Sequence, residues 1–278
     1  KSMKWSNYKL LWGRPLKSIL SIFDKKKLNF KFHHFISSNS TFIDKEFEEK
    51  KKLFSDFKTY KNFFKKMDIL IDHVERKDLI EKKFDIILKK RNINIDNNPK
   101  LLQEVVDLTD QPNVIVCEFD KKFLNIPKEI LILTMQHHQK YFPTFDKKGN
   151  ITNQFLVVAN NKDKKGLIKI GNERVVEARL CDAEFFWQKD KAQNMVKKIF
   201  DLKLMNYFKG LGNYFDKAQR MRKLGAIISD ELLISKEKVE LSASISKVDL
   251  LSELVGEFPE LQGIIGGYFA NVQGFDKE

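Results

Sequence analysis

With 278 residues, 42% of them hydrophobic and 32% charged, the chain is large enough to bury the core of one large domain or two modest ones. No apolar run approaches the ~20 residues of a membrane span, and no basic segment leads into an apolar signal core. Cys117 and Cys181 are too few for a disulfide scaffold, so a reducing cytoplasm is the default compartment; whether they pair is left open. The net charge of +13 points to a polyanion, because clustered cations displace the counterions of phosphate. It has a second reading. Only seven of the 51 basic residues are arginine, beside many Asn, Ile and Phe, and compositional drift toward lysine gives the same excess. Lys1 and Asp276-Lys277-Glu278 read as interior sequence, so a fragment of a longer chain is expected.

Residues 1–43 read as strands and turns, with β-formers at Phe30-Lys31-Phe32 and Thr41-Phe42-Ile43 separated by Ser37-Ser38-Asn39-Ser40. Asp44 is read as the cap of a charged helix starting near Lys45 and interleaved with Phe47, Phe54, Phe57, Phe63 and Phe64. Ile69-Leu70-Ile71 reads as a short buried strand. A second helix is predicted from Val74 to Arg91, with Ile80, Phe84, Ile87 and Leu88 on one face. This charged helical insertion, about 44–92, is either an RNA-contacting arm or a solvated face.

From Pro99 the texture changes to short alternating elements. A helix is predicted over Leu101–Leu108, a strand over Val114–Phe119, and a helix start at Pro127. Tyr141–Phe145 and Gln154–Ala159 flank the turn Asp146-Lys147-Lys148-Gly149-Asn150 and predict a hairpin. In the helix expected after Gly171, Val176, Leu180, Ala183 and Trp187 recur at four-three-four spacing and form a core-facing stripe. Beyond Gln193 no strand pattern is read. Leu224, Ile227, Ile228 and Leu232, then Leu241, Ile245, Val248, Leu251 and Val255, predict helices packed on one another. The chain is therefore divided into an α+β domain, 1–190, and an all-helical domain, 191–278.

The chemistry-bearing residues do not assemble into a catalytic set. His137-His138 and His33-His34 are adjacent pairs whose side chains diverge on a regular element, and no further Cys or His supplies a zinc geometry. Asp249, Glu253 and Glu257 are four apart and would line one helical face; that is either a cation site or a solvated acidic row. Arg174 and Arg179 can reach phosphates or pair locally with Glu177 and Asp182. Phe185-Phe186-Trp187 can stack bases or fill the core, with Trp187 on the apolar stripe. Gly210-Leu211-Gly212 lacks the third glycine and the Lys-Ser/Thr of a nucleotide loop, and Gly263 to Gly267 suits close helix packing. No metal ligand and no catalytic residue is assigned.

Seven ordered segments resemble the beta subunit of the bacterial two-subunit glycyl-tRNA synthetase. They are Lys4-Trp5 through Arg14-Pro15, Leu133-Thr134-Met135 with Gln139 to Phe145, Phe155 to Asn160, Gly171 to Asp190, Gly210-Leu211-Gly212 with Asp216-Lys217, Ser246 to Leu250, and Glu257 to Gly263. The resemblance implies an α+β region similar to the editing-type domain of the phenylalanyl-tRNA synthetase beta chain. A truncated helical region similar to HD-type phosphohydrolases would follow it. Where some relatives carry a His-Asp pair this chain reads Ala270-Asn271-Val272-Gln273-Gly274, and their Gly-His-rich turn is Phe32-His33-His34 here. By the resemblance, glycine is joined to its tRNA with ATP and magnesium, both bound by the alpha subunit in a heterotetramer of two alpha and two beta chains. This chain would hold the glycine tRNA, with Lys140, Arg174, Arg179 and Lys209 as RNA contacts and no cofactor of its own. A metal-dependent phosphohydrolase or editing hydrolase, and a non-catalytic basic RNA-interaction module, are the alternatives.

Overall fold

The computed structural model describes residues 2–4, 7–45 and 48–275. It is a mixed α+β chain with two compact units, Lys1–Leu79 with Val106–Gln111 and Ile80–Val105 with Pro112–Glu278. The first unit is a run of small antiparallel hairpins: β1 (Met3–Lys4) with β2 (Leu11–Trp12), β3 (Ile22–Phe23) with β4 (Lys26–Lys27), β5 (Lys31–Phe32) with β6 (Phe35–Ile36), and β7 (Ser40–Lys45) with β8 (Glu48–Leu53). Strands this short bury little by themselves, so a polar staple matters. Buried Ser37 donates to the Leu28 carbonyl at 2.6 Å and accepts from the Phe30 amide at 2.9 Å, tying the serine run to the connector between β4 and β5.

The helix expected from Asp44 begins later. The lysine run is strand, because Thr41-Phe42-Ile43 pair across the ladder with Lys52-Lys51-Lys50 and the β-formers recruit it. Helix α1 (Phe57–Lys66) is capped instead by Asp56, whose carboxylate accepts from the Thr59 amide at 2.8 Å while the Thr59 hydroxyl faces the Asp56 amide. Phe54 is buried against Tyr60 and Phe63, whereas Phe57 is exposed. Phe47 and Trp5, named in the sequence reading, lie outside the described residues. Ile69-Leu70-Ile71 is an extended connector rather than a strand; the Leu70 amide bonds the carbonyl of Asp110, which lies outside any ladder. Helix α2 (His73–Arg91) follows and buries Ile80 and Phe84 as its spacing requires.

After β9 (Asn94–Ile95) and α3 (Pro99–Leu108), β10 (Asn113–Glu118) opens the main sheet. α4 (Lys128–Leu133) is entered through Pro127, and β11 (Phe142–Phe145) and β12 (Ile151–Ala159) form the expected hairpin. The antiparallel sheet has the order β10-β12-β11-β9. Its tight turn is set by Asp146, whose carboxylate accepts from the Lys148 and Asn150 amides at 2.8 Å, and by Gly149 at φ +81°. A bulge between Pro143 and Phe145 is stabilised by buried Thr144, which donates to the Gln154 carbonyl.

The long helix α5 (Leu167–Lys191) packs its stripe of Val176, Leu180, Ala183 and Trp187 against this sheet's core. It starts before Gly171, because the Asp163 carboxylate accepts from the Ile168 and Lys169 amides and caps it there. The division read at 190/191 falls inside the second unit. Trp187 stacks on Phe269 at 5.5 Å, and Asp190 accepts from the Glu253 and Leu254 amides.

After α6 (Met195–Lys198) and a 3-10 turn, Ile199–Leu204, a small hairpin appears where no strand was read: β13 (Asn206–Phe208) with β14 (Gly212–Asn213). Helix α7 (Tyr214–Leu232) then pairs with α8 (Lys236–Ile245), and α9 (Glu253–Glu257) and α10 (Ile264–Val272) close the unit. The expected apolar seam of α7 is on the wrong side: Leu224, Ile227, Ile228 and Leu232 are exposed. The helix meets α8 through small residues instead, Gly225 lying so close that a Cβ there would stand 2.8 Å from Val239 Cγ1. Leu241 is likewise exposed, whereas Ile245, Val248 and Val255 are buried.

Candidate nucleic-acid interface

Lys140 follows a π-helical turn, Thr134–His138, and takes φ +58°. Its ammonium bonds the Glu104 carboxylate at 2.6 Å. The next residue, Tyr141, is buried and donates to Asn172 of α5 at 2.5 Å, while Asn172 donates to the Ile168 carbonyl at 2.6 Å. Burial, with a lesser push from Cys117, raises the Tyr141 phenol to about 12, so it stays a donor at neutral pH. This bond ties the turn that carries Lys140 to the helix that carries both arginines.

Arg174 and Arg179 are exposed on α5. Among the described residues neither has a carboxylate within ion-pair distance, so the local pairs with Glu177 and Asp182 do not form. The helix instead pairs Lys169 with Glu173 at 3.6 Å and Lys189 with Glu253. Phe185 is exposed at 61%, Phe186 packs on the core rim, and Trp187 is buried. Both cysteines are free thiols, Cys181 exposed and Cys117 buried; burial, then Glu173, pushes the Cys117 thiol up to about 12.

Lys209 lies elsewhere, at the tip of the β13–β14 hairpin, where Gly210 and Gly212 both take positive φ. The Gly-Leu-Gly sequence is therefore a tight turn. A Cβ on Gly212 would stand 2.2 Å from an oxygen of Asp216, the residue that completes the Asn213 capping box of α7. Around Lys209 gathers a set the sequence reading missed. Lys203 sits over Phe200 and Phe215, and Lys217 sits over Tyr207 and Tyr214. The signal was present as a regular alternation of aromatic and lysine residues over 200–217.

The acidic row does not form. Asp249 is buried in a 3-10 turn, while Glu253 and Glu257 lie on α9. Among the described residues no group of three His, Cys, Asp or Glu converges as metal ligands would. His137 is exposed and lies 3.2 Å from Glu260. Gln273, within the Ala270–Gly274 stretch set against the His-Asp pair of some relatives, is a structural tie: it accepts from the Met195 amide and donates to the Gln193 carbonyl. Of the glycines at 263–267, Gly266 is the one that permits close approach, to Asp249.

Fold and surface together define a basic α+β protein of net charge +13, with lysines and aromatic rings interleaved around the β13–β14 hairpin. No described helix is long and apolar enough to cross a membrane. Residues 1–278 match the family model described as glycyl-tRNA synthetase beta subunit. The glycine–tRNA ligase beta subunits of Rickettsia akari and Rickettsia felis are each 36% identical across all of this chain and 42% of their own length. That of Rickettsia typhi is 35% identical with 41% of its length covered. The chain belongs to the glycyl-tRNA synthetase beta subunit family, and it spans about two fifths of the length of the curated relatives it matches.

Proposed function

We propose that this chain is a tRNA-holding part of a glycine–tRNA ligase, acting in the cytoplasm with an alpha subunit that carries out ATP- and magnesium-dependent glycylation. The observation that carries the reading is the family match along residues 1–278. The charge supports it, because a carrier of tRNA must neutralise phosphate and this chain has an excess of +13. In this reading the beta chain joins a heterotetramer with two alpha subunits, and Lys140, Arg174, Arg179 and Lys209 are its RNA contacts. Lys140 would exchange its Glu104 partner for phosphate, while the two arginines need no such exchange. The region before residue 191 would correspond to the editing-type domain of the phenylalanyl-tRNA synthetase beta chain, and 191–278 to a helical HD-like domain without its metal chemistry. The test is glycine charging by the full-length protein with its alpha partner, each omitted in turn. Charging only by the pair is the expected result; an assembled pair that fails to charge glycine tRNA overturns the proposal.

A further inference from the structure

We propose that the surface built by residues 197–223 is a stacking platform for unpaired nucleotides. It rests on the tRNA-holding reading and adds which part of an RNA is held there, and by what contacts. The first observation is charge. This stretch contains eight Lys or Arg and two Asp, a net +6, so a tenth of the chain carries nearly half of its +13. Residues 4–31 are as basic, with eight Lys or Arg and one Asp, so charge supplies attraction for phosphate and the rings supply the distinction. Of the two carboxylates, Asp216 is held in the capping box of α7.

The second observation is the rings. Phe200 and Phe208 are 64% and 67% exposed, so each presents ring surface to solvent. Phe200 stacks on Phe215 with centroids 5.5 Å apart and an angle of 26°, while Tyr207 and Tyr214 meet edge-on at 5.3 Å. Each pair holds an ammonium: Lys203 lies 5.4 and 4.9 Å from Phe200 and Phe215, and Lys217 lies 4.0 Å from Tyr207. A base laid on an exposed ring brings its own phosphate beside these cations. Lys209, next to Phe208, extends the row. Aromatic faces interleaved with lysines are how single strands are held without reading their sequence, since every base has a π-face.

The platform is also rigid. The Tyr214 amide bonds the Met205 carbonyl at 2.9 Å, and the capping box with the tight Gly210–Gly212 turn fixes the hairpin to α7. A duplex keeps its bases stacked inside and offers the rings nothing, so unpaired nucleotides are the occupant the chemistry selects.

The test uses the full-length protein, a fluorescent oligouridylate, and an RNA duplex of equal phosphate count at one salt concentration. The double variant F200A/F208A removes two exposed rings and no charge. It should weaken oligouridylate binding about 10- to 100-fold, as stacked bases elsewhere do, and duplex binding by about twofold or less. F208L, which keeps apolar bulk but no π-face, should show part of the same loss, and unchanged thermal midpoints exclude misfolding. Equal losses on both RNAs, or none, overturn the platform. So does intact oligouridylate binding with lost assembly of the alpha partner, which would make the rings a protein contact. Failure of glycine charging with the oligouridylate preference intact would sink the ligase reading and leave the platform standing.

Discussion

Asp249 combines deep burial with an incomplete set of partners. It is 1% exposed; one oxygen accepts the Gly263 amide at 2.5 Å, and the other has no hydrogen-bond partner among the described residues. Asp190, on the same cavity wall, differs in accepting two amides and the Gln193 side chain. Burial holds the Asp249 carboxyl above its ordinary value of 3.8; the Gly263 amide and Lys247 offset this only in part. The folded state therefore keeps a proton that the unfolded chain has already released. Stability contributed by the neutral carboxyl is complete below the unfolded value and is lost as pH rises through the raised folded one. D249N stays neutral at every pH. Its stability relative to the parent should therefore improve from about pH 4 upward and level off once the parent carboxyl is ionised. Urea unfolding across that range measures this, and a pH-independent difference would show that Asp249 ionises as easily folded as unfolded.

Helix α5 shows what an element's sequence can and cannot specify. Leu180 is fully buried on the stripe that meets the sheet, so L180A should cost about 2–5 kcal/mol through lost transfer and a cavity. F185A, five residues on but exposed, should cost about 0.5 kcal/mol or less. Chemical denaturation ranks the two, and equal costs would mean that the buried stripe does not carry the helix. That stripe was legible because Val176, Leu180, Ala183 and Trp187 repeat at helical spacing, and the β11–β12 hairpin was legible from its Asp-Lys-Lys-Gly-Asn turn. The same spacing on α7 gave the wrong face. Periodicity reports that a face exists; Gly225 and Ala226 then decided that close approach to α8 would cover the small side. The lysine run at 50–52 is β and not helix because its partner strand, not its own propensity, makes it so. Of the candidate contacts, both arginines are exposed on α5, but nothing local announced that Lys140 would meet Glu104, a residue distant in sequence.

At the scale of the whole molecule, +13 has two explanations with different geometries. Drift predicts that all exposed lysines are equivalent toward a polyanion, so only their number matters. An interface predicts that location matters. Lys203, Lys209 and Lys217 lie in the ring-bearing segment, whereas Lys25, Lys26 and Lys27 are exposed on the β3–β4 hairpin of the other unit. Replacing either trio by glutamine removes the same charge. Each phosphate contact on a single strand contributes about 0.7 to the slope of log affinity against log salt. K203Q/K209Q/K217Q should therefore flatten that slope by about 2 for unpaired RNA, and K25Q/K26Q/K27Q by well under 1. Titration of the full-length protein at several salt concentrations separates the two cases. Equal flattening by both trios would return the charge to composition. Unequal flattening locates the phosphates on the segment where the rings already stand.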